Sequence, residues 1–83
     1  MIFPKSMRDS AAKNLKQQLD HLKAATGINS LHLIARQIDG LGENRLYKIR
    51  EQPELMTYGE QYLLAVFFKK SGLTFDPTLG GVI

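Results

Sequence analysis

Eighty-three residues with eleven Lys and Arg against eight Asp and Glu, a formal charge of +3, make one small domain that leans mildly toward polyanions without the dense basic tract that would decide the matter. The absence of cysteine excludes disulfides, thiolate metal sites and cysteine nucleophiles and fits a reducing compartment, so a cytoplasmic location is expected. MIFPKSMRDS lacks the apolar stretch of a targeting segment, and the longest uncharged run, Tyr62 to Phe68, is far short of a bilayer span, so no membrane partner is expected.

Residues 9 to 26, DSAAKNLKQQLDHLKAAT, place Ala11 or Ala12, Leu15, Leu19, Leu22 and Ala25 three or four apart, with Lys13, Lys16, Gln17, Asp20 and Lys23 between them. That spacing predicts one amphipathic helix, capped by Asp9 or Ser10 and stopped by Gly27 in the left-handed conformation with apolar Ile28 following. A second helix over 31 to 38 starts after Ser30, with Leu31, Ile34, Ala35 and Ile38 inward; the methyl of Ala35 allows a neighbouring helix to approach closely. The sequence DGLG then supplies two flexible joints around Leu41, whose side chain is expected to pin the turn to the core.

A third helix is predicted over 43 to 52, because the ring of Pro53 disfavours helical geometry in the residue before it. Leu46 and Ile49 are its inward anchors. At about 100° per residue the opposite face centres on Asn44, Lys48 and Glu51, with Tyr47 and Arg45 on the flanks.

Thr57 and Glu60 form a Thr-x-x-Glu capping box for a fourth helix over 57 to 71, with Leu63, Leu64, Phe67 and Phe68 apolar and Lys69 and Lys70 where the helix dipole favours cations. Gly72 and Leu73 repeat the glycine-plus-apolar stop. The tail 73 to 83 reads either as a short extra turn through DPTL or as an extended segment. Residues 1 to 83 therefore read as a single all-α domain of four helices, or five if that turn is helical.

The stretches LKAATGIN, LIARQI with its central Ala35, the turn holding Leu41, NRLYKI with Leu46 and Ile49, and LMTYGEQYLLAVFFKKSGLTFD together resemble, over roughly residues 10 to 79, the helix-turn-helix domains of the Cro and lambda-repressor type. The chain departs from that family at Leu31 and His32, where the family has a phosphate-holding Gln, at Asp39, where it has glycine, and in a turn one residue longer. The resemblance implies a compact lambda-repressor-like fold of four to five helices and a sequence-specific regulator, of the phage or prophage repressor or the antitoxin kind, bound to double-stranded DNA as a homodimer. It implies that the third helix enters the major groove while the second crosses the backbone. Asn44 then suits an adenine edge, Arg45 or Lys48 a guanine edge, Tyr47 a phosphate or thymine methyl, Glu43 a cytosine amino group, and His32 a phosphate.

Each signal has a plainer alternative. Asn, Arg and Lys also populate any solvated helix face, and Glu43 and Glu51 oppose phosphates, although Glu43 at a helix start complements the macrodipole and Glu51 can pair with Lys48. His21 and His32 lie on different helices without carboxylates at ligand spacing, and DGLGEN lacks the lysine and preceding strand of a phosphate-binding loop. No enzyme activity, metal, cofactor or small-molecule ligand is therefore expected. Tyr58, Tyr62, Phe67 and Phe68 should be mostly core, with any surplus serving a dimer surface, and GGVI is a weaker candidate for pairing with its copy. The alternative function is a helical protein-interaction module that does not bind DNA and uses these aromatics.

Overall fold

In the computed structural model, which describes residues 5 to 81 and side chains from Ser6 onward, apolar spacing is realised as four α-helices: α1 (Arg8–Thr26), α2 (Leu31–Arg36), α3 (Glu43–Glu51) and α4 (Tyr58–Lys70). Short 3-10 turns, Lys5–Met7 and Pro53–Leu55, precede α1 and join α3 to α4. No strand occurs among the described residues. No helix among them is long and apolar enough to cross a membrane.

The stripe of α1 runs through Ala11, Ala12, Leu15, Leu19 and Leu22, all buried. Two expectations about this helix are corrected. Met7 occupies the N-cap position without a side-chain hydrogen bond, so Asp9 complements the dipole from the first turn and neither Asp9 nor Ser10 caps. Ala25 is exposed, because after Leu22 the inward face returns four residues later at half-buried Thr26, whose hydroxyl donates to the Leu22 carbonyl at 2.9 Å. Gly27 takes the left-handed stop as expected, φ 74°, its N–H donating to the Lys23 carbonyl at 2.9 Å.

Ser30 stands at the N-cap of α2 in extended geometry but makes no side-chain cap bond. The helix is shorter than the predicted 31 to 38. Beyond Arg36 the chain tightens into i to i+3 bonds, Ile38 N–H to the Ala35 carbonyl and Leu41 N–H to that of Ile38, which turns Ile38 and Leu41 together into the core. Leu41 is 4% exposed and Ala35 2%, as their positions required. Helix α2 packs chiefly on α3, and α1 runs behind both.

Pro53 ends α3 and then does more than stop it, since its buried ring starts a 3-10 turn that the sequence reading does not contain. At Thr57 the capping box is complete. The Thr57 hydroxyl accepts from the Glu60 N–H at 3.1 Å, and a Glu60 carboxylate oxygen accepts from the Thr57 N–H at 2.9 Å.

Among the described residues of the tail, 77 to 81 form a turn and no fifth helix occurs. Phe75 packs on Phe68 with ring centroids 5.1 Å apart and the planes tilted by 57°, and Leu79, 1% exposed, completes the same core. Gln18 on α1 holds this return segment by pairing its amide with both backbone groups of Asp76, at 2.8 and 3.0 Å. The Asp76 carboxylate in turn accepts from the Thr78 hydroxyl, the Gly80 N–H and the Thr78 N–H, which together hold its pKa below the ordinary value against the opposing effect of burial. Leu79 accepts a left-handed φ of 53° to reach the core, a cost of roughly 1–2 kcal/mol that its burial offsets. Val82 and Ile83, part of the proposed GGVI pairing segment, lie outside the described residues.

Candidate nucleic-acid interface

Helix α3 is divided cleanly by burial. Leu46 and Ile49 are 0% exposed, fixed against α1 and α2, so the rest of the helix has no rotational choice. Asn44 and Lys48, one turn apart, therefore share an exposed ridge with Glu51, flanked by Tyr47 at 39% exposure. Tyr47 is steadied by the Arg50 guanidinium, 5.1 Å above its ring. Lys48 makes no ion pair among the described residues, whereas Glu51 pairs with Arg50 at 3.2 Å and Lys16 at 3.6 Å and not with Lys48.

Arg45, expected among the base-reading residues, is engaged within the fold. It points along the flank toward α4, where its Nε and Nη2 donate to the two oxygens of Glu60, and Nη2 also donates to the Leu55 carbonyl at 2.6 Å. The Glu60 side chain is 12% exposed. Burial pushes its carboxyl up, but hydrogen bonds from Arg45 and from Thr57, with the Arg45 charge, more than reverse this and leave it below the ordinary carboxylate range. The same hydrogen bond raises Arg45 above its ordinary value. Arg45 is a tether joining α3, the 3-10 turn and α4 through Nε and Nη2, while its Nη1 makes no hydrogen bond among the described residues.

Glu43 and His32, both expected at the interface, are brought together, with Arg36 on the same carboxylate. One Glu43 oxygen accepts from Arg36 Nε at 2.6 Å and the other lies 2.9 Å from His32 Nδ1. Sequence reasoning passed over Arg36. The available signal was its position one turn after His32 on α2, which puts both side chains on one face beside the start of α3. That start has Gly42 as its N-cap and no side-chain cap bond.

The aromatic residues of α4 divide differently from expectation. Phe68 is buried and Phe67 half-buried, but Tyr58 and Tyr62 are 63% and 69% exposed and, with Val66, form a stripe at four-residue spacing. Phe75 from the tail takes the core place that the tyrosines leave, and an open groove of about 270 Å³ runs between Tyr58, Tyr62, Phe75 and Pro77. His21 is exposed on α1, and no three His, Asp or Glu among the described residues are grouped to hold a metal ion. Comparison with protein-family models, curated proteins and solved structures finds no match to this chain.

Proposed function

We propose that the protein is a sequence-specific double-stranded DNA-binding regulator of the helix-turn-helix type, with α3 in the major groove and α2 across the backbone. The observation that carries this reading is the exposed ridge of Asn44, Tyr47 and Lys48 on a helix whose Leu46 and Ile49 anchors are completely buried. A nine-residue helix is about 13 Å long, enough to span roughly four base pairs in a groove that admits a helix. Asn44 offers the bidentate amide that suits adenine, Lys48 a free cation for guanine or phosphate, and Tyr47 a ring for a thymine methyl or a hydroxyl for phosphate. Arg45 contributes by holding α3 in place.

So few contacts need a second copy. The exposed Tyr58, Tyr62 and Val66 stripe supports an isologous homodimer through α4, and a body of 33 × 21 × 19 Å is of a size that lets two copies place their α3 helices about 34 to 36 Å apart, one duplex turn. Selection from a random duplex pool tests the reading. The expected outcome is a symmetric motif with half-sites one turn apart and affinity that falls steeply with salt. Absence of any enriched motif would reject it.

A second reading, a helical protein-interaction module without DNA binding, draws on the same exposed tyrosines. It requires that replacing Asn44 and Lys48 leave the protein's binding behaviour unchanged.

A further inference from the structure

The junction of α2 and α3 gathers three side chains that base reading leaves unused. Glu43 divides its two oxygens between Arg36 Nε at 2.6 Å and His32 Nδ1 at 2.9 Å. A guanidinium that donates to one carboxylate oxygen, with an imidazole nitrogen 2.9 Å from the other, beside a nine-residue helix whose N-cap glycine offers no side-chain acceptor, is a set that suits a phosphate. The set is reachable, since the Arg36, His32 and Glu43 side chains are 60%, 43% and 31% exposed. Resting on the DNA-binding reading above, we propose that the Glu43 carboxylate stands in for a backbone phosphate of the duplex. In the free protein it holds Arg36 and His32 in the arrangement the phosphate takes over, and it must be displaced when the phosphate enters.

The consequence is selectivity. Phosphate contacts supply most of the affinity for random DNA, so an internal competitor at one phosphate position lowers binding to every sequence and leaves base contacts from Asn44 and Lys48 a larger share of the discrimination. Were the cluster only a surface ion pair complementing the α3 dipole, removing Glu43 would act like removing any other carboxylate of that helix. Glu51 is that comparison: it is exposed, it lies on α3, and it is paired with Arg50 and Lys16, away from α2.

The test measures affinity for a random duplex across a salt series for the wild type, Glu43→Gln, Glu51→Gln, Arg36→Gln and the Arg36→Gln pairs with each. Freeing one phosphate contact should steepen the dependence of log K on log salt by about 0.9 and tighten binding roughly fourfold at about 0.2 M salt, taking the contact as neutral at 1 M. This gain should exceed that of Glu51→Gln and shrink to it when Arg36 is absent. Thermal melts establish that each variant is folded, and Glu43→Ala repeats the measurement without the amide. Equal gains at both positions, a gain that survives loss of Arg36, or weaker binding by Glu43→Gln would overturn the inference while wild-type binding leaves the regulator reading in place. Failure of the wild type to bind any duplex at low salt would remove both. Inorganic phosphate at constant ionic strength should leave the wild-type melting temperature unchanged, and a rise would assign the site to a free anion instead.

Discussion

Replacing Arg45 by Ala separates a structural arginine from a base-reading one. The substitution removes two hydrogen bonds to the Glu60 carboxylate and one to the Leu55 carbonyl, and it leaves a carboxylate that is 12% exposed with only its Thr57 partner. Charge-assisted hydrogen bonds contribute about 1.5–3 kcal/mol when buried and exposed ion pairs about 0.2–1 kcal/mol. With the arginine 35% exposed, a loss of about 2 kcal/mol is expected, or roughly 8–16 °C in melting temperature for a domain of this size. The assay is thermal unfolding followed by helical circular dichroism across acidic pH. Because the folded-state pKa of Glu60 is lowered from its ordinary 4.5, the stabilisation is fully present above that value and is lost as pH falls through the lowered one. The wild type should therefore lose stability in that window, and Arg45→Ala should lose less there because most of the stabilisation has already gone. Below its own melting temperature the variant should retain its sequence preference. A variant that melts like the wild type yet binds all duplexes alike would refute the assignment and return Arg45 to the reading face.

Asn44→Ala and Lys48→Ala should melt like the wild type, since both side chains are exposed, while each costs about 1–3 kcal/mol against the selected sequence and much less against random duplex in parallel binding titrations. Ala35→Phe places a ring where a 2% exposed methyl faces the neighbouring helix; overpacking of about 1–3 kcal/mol or more should broaden or abolish the melting transition. Phe75→Ala removes the ring packed on Phe68 and should destabilise by about 3–5 kcal/mol in denaturant unfolding, far more than an unattached tail would permit. Gly80→Ala should also destabilise, because a Cβ would lie 2.8 Å from Asn14 Nδ2 at a backbone φ of 79°.

Elements were legible wherever apolar residues recur at helical spacing and glycine or a capping box closes the segment. Gly27, Leu41, the Leu46 and Ile49 pair and the Thr57–Glu60 box all follow from local rules that need no partner element. The misread positions depend on what arrives from elsewhere in the chain. The α4 aromatics read as mostly core, with any surplus a dimer surface, because a small domain needs aromatic volume, yet it is Phe75 that returns from the tail to pack on Phe68, its neighbour Asp76 held by Gln18 at a separation of 58 residues. No periodicity within α4 carries that information.

The candidate interface divides in the same way. Rotation about the α3 axis is determined by its buried anchors, so Asn44, Tyr47 and Lys48 are assignable from spacing alone. Whether a basic side chain on that helix is available depends instead on the nearest carboxylate in space. Arg45 and Lys48 carry the same charge three residues apart, but only Arg45 flanks the seam with α4, where Glu60 has already been positioned by its own capping box and still has hydrogen-bonding capacity for a guanidinium. Glu43 lies on the α2 side of the same helix and draws in Arg36 and His32. Each neighbouring helix thus claims the α3 side chain that faces it, leaving the sector opposite Leu46 and Ile49, centred on Asn44 and Lys48, as the part of α3 that can meet a duplex with its donors unspent.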